Sequence, residues 1–260
     1  MGEALELLLV CVGLLVCLAC LGRCVRLCSC AFRSCWQVLP SAFLQSMGQW
    51  AVVTGAGDGI GKAYSLQLAK HGLNVVLISR TLEKLQAVAT EIDRATGRSV
   101  RIIQADFTKD DIYETIKEEL QGLEIGILVN NVGMLPSLLP RRFLNTPDEI
   151  QGLIHCNITS VVKMTQLILK HMGSRRRGLI LNISSGAALF PWPLYSLYSA
   201  SKAFVCTFSK ALQAEYKEKG VIIQAGFLSL IPAWAFYSSW CQRLLLTYYA
   251  DYLKQNARVS

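Results

Sequence analysis

Residues 50–65, WAVVTGAGDGIGKAYS, constrain the fold more than any other part of this sequence. A β-branched apolar run ends in glycines at 55, 59 and 61 and passes directly into an amphipathic segment. Strand, glycine turn and helix N-terminus in that order let the backbone approach a pyrophosphate, whose charge the first helical amides hold. A glycine cluster without those flanks means little, and here both are present.

The same alternation recurs down the chain. Residues 50–55, 74–79, 100–106, 125–131, 178–185 and 221–224 read as short buried strands, with helix-length segments between them. Strand and helix in strict alternation predict an α/β fold with a Rossmann-type, doubly wound parallel sheet, here over residues 48–225. No internal repeat or low-complexity linker interrupts it.

Composition sets the surroundings. The chain has 260 residues, 52% of them hydrophobic, and a formal charge of +8. One medium domain with added apolar segments fits these figures. Residues 7–22 carry no charge and are followed by Arg23, Arg26 and Arg33. Sixteen residues rise about 24 Å as a helix against a hydrocarbon core of about 30 Å, so a span here recruits its flanks. Glu3 and Glu6 stand where a cleavable signal would be basic, and the arginines behind the apolar run place the main domain on the cytosolic side. Residues 1–47 therefore read as a membrane anchor with its juxtamembrane segment; the competing reading is a buried core helix. Residues 226–260 form an apolar tail rich in Trp and Tyr, suited either to a membrane interface or to packing across the sheet.

Several function classes fall away. Lys and Arg are spread along the chain, and the one dense run, residues 175–177, reads as a solvated turn before a strand, so no nucleic-acid partner is expected. Seven of the ten cysteines lie between positions 11 and 35, which is no disulfide framework, and Cys28 and Cys30 lack the spacing and histidines of a metal site. No metal is expected; the juxtamembrane cysteines either carry acyl groups or fill an apolar helix. Asn157 and Asn182 occupy Asn-x-Ser/Thr sequences but read as unmodified.

The second strand ends at Ser79 and Arg80, where an NAD site would offer a carboxylate to the ribose; a guanidinium there suits a 2′-phosphate, so NADPH is expected over NADH. A solvated surface arginine is the plainer alternative. Asp106 and Asn131 end the third and fourth strands, at the edge where such sheets bind ligands, with helix-cap and turn roles as their alternatives. Tyr198 and Lys202 are four apart and share a helix face, so the ammonium lowers the phenol pKa from about 10 and makes a usable general acid. Ser185 closes the preceding strand, in place to hold a carbonyl oxygen as charge develops on it. Ser184, Tyr195, Ser196, Ser199 and Ser201 are nearby hydroxyls that compete for these roles. The chemistry indicated is carbonyl reduction.

These residues carry a resemblance. TGAGDGIG at 54–61, NNVG at 130–133, Ser185 and YSASK at 198–202 resemble the short-chain dehydrogenase/reductase family. That resemblance implies that Gly55, Gly57, Asp58, Gly59, Ile60, Gly61, Ser79, Arg80, Asp106, Asn131 and Gly133, with Tyr198 and Lys202, bind NADPH or NADP. It implies that Asn157 supports a proton relay and that Ser185 meets the substrate. Val132 replaces the family's usual alanine. Within the family the likeness is to membrane-bound 17-ketosteroid reductases, which implies reduction of androstenedione to testosterone at the endoplasmic reticulum and a possible homodimer. After Gln224 the sequence departs from that pattern: a proline-containing loop, the last helix and the last strand are absent, as in a shortened isoform. Two alternatives stay open: a catalytically impaired form that keeps only nucleotide binding, and a membrane-bound 3-oxoacyl-CoA reductase.

Overall fold

Runs of Val, Ile and Leu with no polar alternation bury both faces of a strand, which is the pattern of a parallel sheet covered by helices. The computed structural model describes Gly22 and residues 41–137, 142–145, 150–189 and 191–228. Its elements are α1 (Ser41–Met47), β1 (Trp50–Thr54), α2 (Gly59–Lys70), β2 (Asn74–Ser79), α3 (Leu82–Thr96), β3 (Val100–Gln104), α4 (Tyr113–Glu119), β4 (Ile125–Asn130), α5 (Ile150–Ile154), α6 (Ser160–Arg175), β5 (Gly178–Ser185), α7 (Ser196–Tyr216) and β6 (Val221–Leu228). A π-helical turn, His155–Thr159, joins α5 to α6.

The six strands form one parallel sheet in the order β3-β2-β1-β4-β5-β6. The order reverses between β1 and β4, which opens a crevice at the carboxyl ends of those two strands. All six residues of β4 are buried, as expected of a strand next to that reversal. Side chains of Val52, Val76, Leu128 and Ile180 from the strands meet Met164, Ile168 and Met172 of α6 in one continuous core. Of the expected anchor and juxtamembrane segment, residues 1–47, the structure describes Gly22 and residues 41–47; the rest of it and the tail beyond residue 228 lie outside the described residues, and no described helix is long and apolar enough to cross a membrane.

Sequence pattern and structure agree on β2 and β5 to the residue and part at β6. The pattern predicts a strand over 221–224, whereas β6 continues to Leu228 and pairs with β5 from Gly178↔Val221 through Ser185↔Leu228. The cause is local: residues 225–228, AGFL, contain no turn residue besides Gly226, and that glycine is itself buried in the pairing. Among the described residues β6 ends the sheet, with β5 as its strand neighbour.

Two further segments differ from the pattern. α1 falls within the residues expected as anchor and juxtamembrane segment, 1–47, yet packs Leu44 and Met47 into the domain. The arginines at 175–177 are not merely solvated: Arg175 donates to Glu124 Oε1 at 2.9 Å and to the Ile125 carbonyl, and Arg177 donates to the Ser46 carbonyl at 3.0 Å. They fasten the end of α6 to the start of β4 and to α1. The exposed ion pair alone would contribute under about 1 kcal/mol, so the backbone contacts carry most of this attachment.

Under the crevice runs a buried polar chain. Asn130 Nδ2 donates to Thr165 Oγ1 at 3.0 Å and to Asn182 Oδ1 at 2.8 Å, and Asn182 Nδ2 donates to Ser209 Oγ at 2.8 Å. Every member is at most 2% exposed, so full pairing is what makes their burial tolerable. Asn182 and Asn157 are both fully buried, which leaves neither sequon accessible in the folded domain.

Candidate active site

The glycine turn is shaped by close approach. A Cβ on Gly61 would lie 2.1 Å from the Gly55 carbonyl oxygen and 2.6 Å from Asn131 Nδ2, so only hydrogen fits. Gly55 itself takes a left-handed φ of 64°, open to glycine at little cost. Around Gly59 nothing lies within 4 Å of the place a Cβ would take, which leaves the outer side of the turn free for a bound group. Asn131 braces this turn from β4: its Nδ2 donates to the Thr54 and Gly55 carbonyls, each at 3.1 Å. Thr54 Oγ1 returns the tie by accepting from the amides of Asn131 at 3.0 Å and Val132 at 3.2 Å. Asn131 thus acts on the loop that would meet a nucleotide, and Thr54 is its unforeseen partner.

At the end of β2, Ser79 is half-buried and Arg80 exposed. Lys84, in the first turn of α3, pairs with Asp58 at 2.5 Å beside the glycine turn and lies against Gly57. Sequence pattern singled out Arg80 and passed over Lys84, because one more lysine on an amphipathic helix has no signature. Asp106 turns Oδ1 to the Thr108 amide and hydroxyl, at 3.1 and 2.9 Å, and so closes the turn after β3.

A cleft of about 520 Å³ begins at Ile60, passes Asn131 and Gly133, and ends at Ser185, Tyr198 and Lys202. The sequence candidates from the glycine turn and from the tyrosine helix therefore share one cavity. Its other walls are Met134, Leu135, Trp192 and Tyr195, from loops whose periodicity says nothing. Leu194 holds a left-handed φ of 70°, a strained conformation for leucine, in the turn that delivers Trp192 and Tyr195 to that wall.

Ser185 sits at the carboxyl end of β5, half-buried, with its Oγ accepting from the Ala187 amide at 3.2 Å. Tyr198 is in the first turn of α7, and Lys202 is one turn further, 6% exposed. Lys202 Nζ donates to the Ile183 carbonyl at 3.0 Å and lies 5.9 Å from the Tyr198 ring centroid. Burial pushes the Lys202 pKa down from its ordinary 10.5 to about 8. Asn157 occupies the π turn, fully buried, gripping Met134 through both its amide and carbonyl. Such turns add one residue to a helix and are frequent at functional sites.

Three of the competing hydroxyls are spent elsewhere, while Tyr195 stays on the cleft wall. Ser184 donates to the Lys202 carbonyl at 2.8 Å, Ser199 to the Ala187 carbonyl at 2.8 Å, and Ser201 to the Tyr198 carbonyl at 2.7 Å. Each fixes α7 against the end of β5 or against itself. Cys156 and Cys206 are both buried thiols, and burial raises the Cys156 pKa to about 11, which removes it as a candidate nucleophile. Among the described residues no cluster of His, Cys, Asp or Glu is placed to hold a metal.

A nucleotide crevice leading to a serine, tyrosine and lysine on one wall defines a nucleotide-linked carbonyl oxidoreductase. The family model described as short chain dehydrogenase matches residues 49–231, and the chain belongs to that family. It is 65% identical to the 17-beta-hydroxysteroid dehydrogenase type 3 of Homo sapiens over 309 aligned positions, covering 100% of both chains. Those 309 positions exceed this chain's 260 residues, so at least 49 fall opposite gaps in it. The very-long-chain 3-oxoacyl-CoA reductase of Homo sapiens is 53% identical over 182 residues, covering 69% of this chain and 58% of that one. Among solved structures, a short-chain dehydrogenase from Sphingobium yanoikuyae in complex with NADPH superposes with a TM-score of 0.65 and 31% identity, covering 69% of this chain and 70% of that one.

Proposed function

We propose that this chain is an NADPH-dependent 17-ketosteroid reductase that turns androstenedione into testosterone. The observation that carries the reading is Ser185, Tyr198 and Lys202 lining one cleft with the glycine turn, in a chain 65% identical to a 17-beta-hydroxysteroid dehydrogenase type 3. The residues present fit the cofactor: Gly59 keeps the outer side of the glycine turn open to a pyrophosphate, and Arg80 and Lys84 offer cations for a 2′-phosphate. When bound, NADPH supplies hydride to the carbonyl carbon of the ketone.

The chain's own residues manage the oxygen. Ser185 donates a hydrogen bond to the ketone oxygen, favouring it most once it carries negative charge. Tyr198 gives that oxygen its proton. Lys202, 5.9 Å from the Tyr198 ring centroid, adds a positive charge to that end of the cleft when protonated, which favours a developing negative charge there. Met134, Leu135 and Trp192 supply an apolar wall for a flat hydrocarbon skeleton.

The reading includes attachment to the endoplasmic reticulum membrane through residues 7–22, with the catalytic domain facing the cytosol, and a homodimer. The apolar charge-free run and the arginines behind it support the first. A groove of about 660 Å³ between α6 and α7, lined by Leu169, Phe208, Leu212 and Tyr216, offers the second a surface. The shortfall of at least 49 aligned positions favours a second reading, a chain that binds nucleotide and turns over poorly.

One experiment separates them. Microsomes carrying the chain are given NADPH and androstenedione, and testosterone is followed. Formation that disappears in Tyr198→Phe supports the reductase; protection of the chain by NADPH from proteolysis, with no product, supports the second reading. Reduction of a 3-oxoacyl-CoA and none of the steroid would transfer the chain to the other class of relatives.

A further inference from the structure

Ser201 touches neither the cleft nor any expected ligand, yet it links the two parts of the site that must keep register. It is fully buried, on the side of α7 turned to the π turn. Its Oγ donates to the Tyr198 carbonyl at 2.7 Å and accepts from Asn157 Nδ2 at 3.2 Å. Asn157 is also fully buried and uses its other amide hydrogen on the Met134 carbonyl, 2.9 Å away, while its Oδ1 accepts from the Met134 amide at 2.8 Å. Met134 is a wall of the cleft. The chain of contacts therefore runs Met134, Asn157, Ser201, Tyr198, from one wall of the cleft to the backbone of the residue on the other.

We propose that Ser201 is a positioning residue for Tyr198, joining the Asn157 carboxamide to the Tyr198 carbonyl so that the cleft wall at Met134 sets where the tyrosine stands. A serine hydroxyl bonding three residues back along its own helix is commonplace and by itself weakly unfavourable to the helix. What distinguishes Ser201 is that the same oxygen is the acceptor for the side-chain amide of a fully buried residue. Losing it leaves an Asn157 hydrogen unpaired in the interior, so the two side chains act as a unit. The hydroxyl makes no substrate contact, which confines its effect to geometry in the reacting complex and spares ground-state binding.

The inference rests on the reductase reading for its kinetic arm and stands apart from it in a second arm. In the full chain, Ser201→Ala is expected to lower kcat about tenfold with the ketosteroid KM within about twofold, and to cost under about twofold when added to Asn157→Ala. Independently of turnover, amide hydrogen exchange followed by mass spectrometry should rise about tenfold across 197–203 in Ser201→Ala, rise similarly in Asn157→Ala, and rise no further in the double variant. Ser201→Thr, which keeps the hydroxyl on Cβ, should return both readouts towards wild type. If Ser201→Ala does not accumulate as folded protein, the rise in Asn157→Ala alone carries the test. Unchanged exchange in the single variants, or effects that multiply in the double, would overturn the inference. A chain that reduces no ketosteroid but shows the coupled exchange would sink the reductase reading and leave this one standing.

Discussion

Lys202 Nζ lies 3.0 Å from the Ile183 carbonyl oxygen, and among the described residues no carboxylate accompanies it. One carbonyl is a poor substitute for water around an ammonium, so its pKa falls to about 8. A base whose folded pKa is depressed binds fewer protons folded than unfolded between the two values, so stability rises with pH in that window. The ligand-free protein is expected to be least favoured by this group below about pH 8 and to gain stability from there towards 10.5, a gain absent in Lys202→Met. Melting temperature against pH for both proteins checks it. Reductase turnover, which uses the charged lysine, should fall as pH rises through about 8.

Ser185→Ala should lower kcat by about 10²- to 10³-fold, the range for loss of one oxyanion donor. Binding of NADPH, followed by its fluorescence, should change far less, because the Ser185 hydroxyl stands at the ketone end of the cleft.

Gly61→Ala places a carbon 2.1 Å from the Gly55 oxygen, and neither backbone can yield without opening the turn. Overpacking of this kind costs about 1–3 kcal/mol, and the displaced loop is the one offered to a pyrophosphate. A lower melting temperature together with at least a tenfold weaker NADPH affinity is expected.

Arg80→Asp should shift the preference for NADPH over NADH by at least about tenfold, since a charge-assisted bond contributes about 1.5–3 kcal/mol and is replaced by repulsion. Lys84→Ala should move the preference the same way by less, because Asp58 already neutralises part of its charge. Ratios of kcat/KM for the two cofactors decide both.

Tyr64 is 5% exposed, and its hydroxyl has no hydrogen-bond partner among the described residues. Removing a buried orphan donor relieves a desolvation cost of about 1–3 kcal/mol, so Tyr64→Phe is expected to stabilise the domain by about 1 kcal/mol. Denaturant unfolding of the two proteins measures it.

Local chemistry made the sheet and the reacting residues legible. Residues 74–79 and 178–185 are apolar-rich runs with clear ends, the second interrupted by Asn182, and each is a strand to the residue. Glycines at 55 and 61 announce a turn that no other residue could make, and a tyrosine four before a lysine announces a shared face. What the sequence withheld depends on partners far along the chain. Nothing about Asn157 signals a π turn, because the partner that needs it, Met134, lies 23 residues earlier in a loop. Arg175 and Arg177 read as solvated until β4 and α1 are placed beneath them. Residues 226–228 read as the start of the apolar tail, and only the register with β5 reveals them as strand.

The π turn also fixes what kind of change this helix can absorb. One residue more than an α-helix needs is housed within His155–Thr159, so α5 runs about 100° out of phase with α6. Met164, Ile168 and Met172 face the core while Asn157 faces Met134. Substitutions along α6 alter the fit of single side chains, but deletion of one residue from the turn would act as a rotation, swinging Asn157 and all of α5 about the helix axis. The segment is therefore strict in length as well as at its buried positions.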